Sequence, residues 1–245
     1  MNHTPPTPIP ARRAWLLDVI LIALLSVPVF FFEVGKRPVT SILEERVAIT
    51  SREMWRAGEW VLPTMNGEMR LQKPPLAYWL VEAFASVRGA FDDVTLRLPF
   101  AFLALGTALF TWKMGALLGG PRAGLLAAVV LLTSALFVKE GHMATADPAM
   151  LFCASGAWYC SLAARRTAGG GRPGPGAGLG FYFFLALGAL AKGPVILVLC
   201  VLPFLVEAIV IRSMAPLRDL WSPWGIALFL VLSLSWPAAV ACRLA

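Results

Sequence analysis

Seven apolar runs, each near the length that crosses a hydrocarbon core, are the feature that most limits what this chain can fold into. A span takes about 20 mostly apolar residues, with about 17 to 25 workable. The runs fall at about 14–32, 96–117, 123–139, 146–164, 178–192, 194–211 and 223–242. In hydrocarbon every backbone N–H and C=O must be satisfied within its own segment, so such runs predict helices. The expected fold is therefore all-α, a polytopic membrane helix bundle. With 58% of its 245 residues hydrophobic and 14% charged, the chain has too little charge to cover a soluble surface. The same figures exclude a disordered chain, a basic nucleic-acid-binding domain and a disulfide-stapled secreted module. The first run exceeds a signal-peptide core and no small-x-small cleavage site follows, so it is read as a retained anchor.

Alternate crossings sort the loops onto two sides, and the net charge of +7 then has an address. One side holds nine Lys/Arg (Arg12, Arg13, Lys113, Arg122, Arg165, Arg166, Arg172, Arg212, Arg218) against a single acid, Asp219. The other holds twelve bases and eleven acids. Basic loops stay cytoplasmic, which places the N-terminus inside. The expected organisation is a cytoplasmic tail at 1–13 and a transmembrane module at 14–245. Within the module lie an external loop at 33–95 and a cytoplasmic Gly/Pro-rich connector at 165–177. That connector lacks the GxxxxGK signature of a phosphate loop. Cys153, Cys160, Cys200 and Cys242 lie in apolar runs without CxxC spacing and read as packing residues.

The external loop is too long to be a plain connector. From Glu44 to Trp60 its apolar positions Val47, Ile49, Met54 and Trp55 suit an amphipathic helix on the membrane surface, stopped at Gly58. Lys73-Pro74-Pro75 predicts a second such helix, because proline suits a first helical turn and no later one. Ionisable groups gather on this side. Glu44, Glu45 and Lys73 sit at element ends in the loop, Lys139, Glu140, His142 and Asp147 in one turn, and Lys192 before Gly193-Pro194 in another. Each has a structural alternative: helix capping for Glu44, Glu45 and Asp147, solvation for His142, and snorkelling for the lysines. Acids and lysines converging at one depth suit an anionic lipid headgroup and a hydroxyl or amine acceptor.

These residues also carry a resemblance. The run Glu44–Trp79, followed by Arg97-Leu98-Pro99, Thr145-Ala146-Asp147-Pro148, Lys192-Gly193-Pro194 and Ser235-Trp236-Pro237, is similar to the aminoarabinose transferase and protein O-mannosyltransferase superfamily. These are the polytopic GT-C glycosyltransferases of family 39. The resemblance implies transfer of a sugar from a polyprenyl-phosphate donor to a lipid, glycan or protein acceptor on the external (periplasmic) face of the inner membrane. No nucleic acid is involved. It implies an acid in the first loop that activates the acceptor or holds a divalent cation, and a lysine on the carrier phosphate. Carried over, Glu44 with Glu45 and Asp147 are the candidate catalytic acids, and Lys73 and Lys192 the phosphate-binding lysines. Arg46, His142 and Tyr78 are candidate supporting residues, and Glu44 is the only candidate metal ligand.

The chain departs from the family pattern at Leu43, which stands where an aspartate is expected. Either a neighbouring glutamate substitutes for it or the principal acid is missing. The chain also stops after its seventh run, where the family continues. The competing expectation is thus a truncated or non-catalytic membrane module that binds lipid-linked sugar or a partner subunit. A transporter is third, since its ionisable residues belong near the bilayer midplane.

Overall fold

The structure, a computed structural model, describes residues 11–168 and 178–245, with side chains from residue 15 onward. Most of the expected 1–13 tail and of the 165–177 connector lies outside the described residues. Helix α1 (Ala11–Ser26) runs on into a π-helical turn at Val27–Phe31. The external loop folds as α2 (Ile42–Ala57), a hairpin of β1 (Thr64–Met65) and β2 (Glu68–Met69), and α3 (Leu76–Arg88). Next come α4 (Asp93–Gly119), α5 (Pro121–Leu132), α6 (Ala135–Gly141) and α7 (Ala146–Thr167). After the undescribed connector follow α8 (Leu179–Lys192), α9 (Val195–Val210), α10 (Ala215–Leu220) and α11 (Pro223–Leu244).

The all-α expectation holds, but the count of seven long spans is not reached. Among the described residues, α4 and α11 are long and apolar enough to cross a membrane. A third candidate is α5 with α6, bent by 70° at a short break. Residues Trp15–Phe31, α8 and α9 are apolar but shorter. The 123–139 run breaks at Thr133 and Ser134: Thr133 ends α5, and the extended backbone of Ser134 (φ −71°, ψ 119°) leads into α6. Helix α7 has 22 residues but carries Asp147 in its first turn, Arg165 and Arg166 in its last, and many small residues between.

Local chemistry sets the juxtamembrane elements. Ser41 caps α2 by accepting from the Leu43 amide, and Gly58 ends it at φ 62°, a left-handed conformation that glycine adopts without steric cost. Pro75 opens α3, as the sequence predicts. The hairpin was not among the expectations. Asn66 and Gly67, both at positive φ, turn it, and the Glu53 carboxylate on α2 accepts from the Thr64 hydroxyl and the Asn66 amide, each at 2.7 Å. Those bonds hold the Glu53 carboxyl below its ordinary value, the Thr64 hydroxyl contributing most.

In the bundle, α4 packs on α5 and α7, α7 on α8, and α8 on α11. Helices α4 and α5 approach so closely at Gly115 that a Cβ there would lie 2.8 Å from the Gly124 Cα. One buried ion pair joins the loop elements to the bundle. From α4, Arg97 donates through Nε and Nη2 to Glu44 on α2, at 2.8 and 3.2 Å, and through Nη1 to the Arg37 carbonyl at 2.6 Å. Glu44 also accepts from the Ala144 amide, just before α7, at 3.2 Å. The two side chains are 4% and 3% exposed.

The second buried acid of the loop, Glu82, is on the covered face of α3 with Tyr78, Val81 and Ala85. Its Oε2 has no hydrogen-bond partner among the described residues. Burial, and secondarily the charge of Glu59, push its carboxyl up to about 7. Two outcomes follow for thermal unfolding in detergent. Glu44→Leu strands the buried Arg97 charge and should cost about 3–5 kcal/mol, while Glu44→Leu/Arg97→Met regains most of it. Because the folded state holds the Glu82 proton more tightly than the unfolded chain, stability contributed at this site falls as pH rises from about 4.5 through about 7. Glu82→Gln should therefore raise stability by about 1–3 kcal/mol at pH 8 and by little at pH 4.

Candidate functional site

Five elements meet around a cavity of about 160 Å3. Helix α2 contributes Leu43, Arg46 and Val47, which share one face because residues three and four apart stack on a helix. The segment after β2 supplies Arg70 and Lys73, and the first turn of α3 supplies Ala77 and Tyr78. Thr145, Ala146 and Asp147 come from the start of α7, and Lys192 from the end of α8.

Helix polarity suits the placement of the charged pair. Asp147 is in the first turn of α7, where partial positive charge favours a carboxylate, and Lys192 is in the last turn of α8, where the opposite holds. Lys192 Nζ donates to Asp147 Oδ1 across the cavity wall. Their side chains are 30% and 37% exposed, so the pair borders open space. Beyond Lys192 the chain turns at Gly193, φ 75°, and enters α9.

Four basic side chains, Arg46, Arg70, Lys73 and Lys192, surround the single carboxylate of Asp147, a formal excess of three positive charges (4 − 1). Lys73 makes no ion pair or hydrogen bond with a described residue, and its side chain is exposed. The Thr145 hydroxyl is buried without a hydrogen-bond partner among the described residues, as is Arg70 Nε. Unused donors around an electropositive cavity are what a phosphate group requires, since its oxygens accept charge-assisted hydrogen bonds.

The structure brings together Lys73, Lys192, Asp147, Arg46 and Tyr78 of the expected residues, and separates the others from them. Glu44 turns into the Arg97 pair and borders a different cavity of about 680 Å3, with Arg37, Lys139 and His142. His142 is buried, its Nδ1 2.7 Å from the Val138 carbonyl. Glu45 is exposed and lines neither cavity. Leu43, where the resemblance expects an aspartate, is a wall of the smaller cavity and 52% exposed. A divalent cation does not fit this donor set: the lone carboxylate is paired with Lys192, Glu44 is engaged by Arg97 and the Ala144 amide, and no three His, Cys, Asp or Glu side chains cluster among the described residues. Arg70, Thr145 and Arg97 were not assigned roles from the sequence. A charge inside the α4 run marked Arg97, Thr145 immediately precedes the Ala146-Asp147-Pro148 turn, and Arg70 is three residues before Lys73.

Comparison with known proteins bears on the same elements. The sequence pattern of the family described as dolichyl-phosphate-mannose-protein mannosyltransferase matches residues 72–238. The undecaprenyl phosphate-alpha-4-amino-4-deoxy-L-arabinose arabinosyl transferase 1 of Proteus mirabilis is 31% identical over 210 residues, 81% of this chain and 35% of that protein. The corresponding transferase of Edwardsiella ictaluri is 29% identical over 201 residues, 81% of this chain and 36% of that protein. The chain thus spans about a third of the length of these relatives. The crystal structure of ArnT from Cupriavidus metallidurans bound to undecaprenyl phosphate has the same fold, with a TM-score of 0.80 at 23% identity, over 95% of this chain and 42% of that one. The matched stretch carries Lys73, Tyr78, Asp147 and Lys192 and forms most of the cavity around them, so the chain belongs to the dolichyl-phosphate-mannose-protein mannosyltransferase family.

Proposed function

We propose that the chain supplies the donor-phosphate site of an inner-membrane glycosyltransferase, which moves a sugar from polyprenyl phosphate to a lipid, glycan or protein acceptor on the periplasmic side. The observation that carries this reading is the cluster of four cations around one carboxylate in a single cavity, on a scaffold of this family. Relatives named as undecaprenyl-phosphate aminoarabinose transferases support a lipid-phosphate donor. In this reading α1 with its π-helical turn, the bent pair α5–α6, α7, α8 and α9 cross the membrane together with α4 and α11, making seven crossings. The N-terminus is cytoplasmic, as the distribution of basic loops favours.

The chemistry follows from where the charges stand. The acceptor's oxygen or nitrogen attacks the anomeric carbon with a lone pair. The bond from that carbon to the phosphate oxygen breaks, its electron pair stays on the phosphate, and polyprenyl phosphate leaves as an anion. Lys73, with Arg46 and Arg70, stabilises the charge that grows on the departing phosphate, and the Thr145 hydroxyl offers it a further hydrogen bond. The acceptor's proton passes to Asp147, the one carboxylate on the cavity wall, which Lys192 holds in position. Glu44 acts at one remove, by fixing α2 and so the placement of Arg46. Tyr78, buried on α3, closes the wall beside Lys73.

Binding of undecaprenyl phosphate and sugar transfer from the lipid-linked donor, measured on the membrane-reconstituted protein, separate these roles. Lys73→Ala should weaken binding at least tenfold and lower turnover by about 10²–10³-fold, the usual scale for one lost transition-state contact. Asp147→Asn should leave binding within twofold and lower turnover by about 10²-fold, and Glu45→Gln should change neither. Unaltered binding in Lys73→Ala overturns the phosphate site. Unaltered turnover in Asp147→Asn overturns the proton acceptor.

A further inference from the structure

The transfer chemistry leaves a large cavity at the far end of the same helices unused. Lys113 is sixteen residues beyond Arg97 on α4, and Arg166 nineteen beyond Asp147 on α7, so the two ends are roughly 24–28 Å apart at 1.5 Å per residue. There a cavity of about 510 Å3 opens between α1, α4 and α7. Its walls are amphipathic. Trp15 and Trp112 form an apolar side, their rings 6.4 Å apart, and Lys113 and Arg166 a basic one.

The local bonds leave those two cations available. Asp18, the only acid among the described residues that line the cavity, accepts from the Trp112 indole at 3.3 Å and pairs with neither cation. Lys113 Nζ is 5.1 Å from the centre of the Tyr159 ring, a cation–π contact that positions the ammonium and leaves its N–H groups free to donate. Arg166 donates one N–H to the Leu117 carbonyl and keeps the rest of its fork. Among the described residues neither cation takes part in an ion pair. Two adjacent cations facing one cavity, with one acid already engaged, call for an anion. Outside the cavity, α1 presents Leu17, Ile20 and Leu24, each more than half exposed, as an apolar track leading away from it. A free phosphate would use the cations alone. A lipid would use the cations, the indole wall and the track together.

We propose that this cavity binds one acidic glycerophospholipid of the leaflet opposite the candidate transfer site. Its phosphate lies between Lys113 and Arg166, its glycerol against Trp15 and Trp112, and its acyl chains along α1. The volume suits a headgroup and glycerol backbone, with the chains left outside. This proposal does not depend on the transfer reaction.

Native mass spectrometry of the full chain, released from bilayers of equal phosphatidylglycerol and phosphatidylcholine with matched acyl chains, tests it. The unmodified protein should retain phosphatidylglycerol at least tenfold over phosphatidylcholine. Lys113→Gln/Arg166→Gln should bring that ratio to within twofold of one. Leu117→Trp, which adds bulk to the cavity wall and keeps both cations, should do the same and covers the case in which the double variant does not fold. Lys73→Ala should leave the ratio unchanged, and millimolar glycerol phosphate should not displace the lipid. Equal retention of the two lipids by the unmodified protein overturns the proposal, as does undiminished preference in both cavity variants. Displacement by glycerol phosphate would show a free-phosphate site, and stronger retention of added undecaprenyl phosphate would show a carrier-lipid site. Either result overturns it as well.

Discussion

The α2 wall of the candidate site depends on the buried pair of Arg97 and Glu44, which ties α2 to α4 and to the start of α7. Buried ion pairs are poor sources of net stability, because the desolvation of two charges offsets their attraction. This one satisfies the condition under which the cost is met: the carboxylate receives both arms of the guanidinium and a backbone amide, and Arg97 also donates to the Arg37 carbonyl. What it gives the fold is specificity. A juxtamembrane helix lying on a bundle is free to roll about its axis unless something polar fixes the angle. Here α2 is fixed to α4 and to the start of α7 by one side chain.

The angle decides which residues reach the cavity. Successive residues on a helix point about 100° apart, so once Glu44 faces α4, Leu43 and Arg46 with Val47 turn toward the cavity. An acid at position 44 is committed to structure, and an acid at 45 points to solvent. Position 43 is the one that borders the site, and it holds leucine. Among the described residues lining the cavity the one carboxylate is then that of Asp147, which approaches from another helix altogether. The adjacent glutamates thus divide into a buried structural acid and an exposed one, although they look equivalent in the sequence.

Elements whose signals are local were legible. Gly58 ends α2 and Pro75 starts α3, as expected, whereas the caps at Ser41 and Asp92 carry a signal of the same kind and were not among the expectations. The gathering of Lys73, Asp147 and Lys192 was legible too, because polar residues at the ends of apolar runs must share a depth. The partner of Glu44 was not: Arg97 is 53 residues away, and nothing in either residue's neighbourhood names the other. The break in the 123–139 run was hidden for a different reason. Hydropathy averages over Thr133 and Ser134, whereas the helix ends where the Ser134 backbone turns extended. The hairpin carried a readable signal, Asn66-Gly67, masked by the short strands on either side of it.

The two ends of the bundle handle charge alike. At one end Asp147 neutralises Lys192, leaving Arg46, Arg70 and Lys73 around a cavity. At the other, Glu207 and Asp219 both engage Arg165, which also lies over the Phe204 ring, and Lys113 and Arg166 remain. In each case part of the basic charge is spent on fixing helices and part is left facing open volume. Clustered cations repel one another, and the repulsion grows as water is excluded, so a fold that holds them together with no counter-charge of its own carries a standing electrostatic cost. In the proposed reading a phosphate removes that cost at either end. If the helices span a bilayer they meet phosphate at both of its surfaces, and α7 links the two cavities, carrying Asp147 at one and Arg166 at the other.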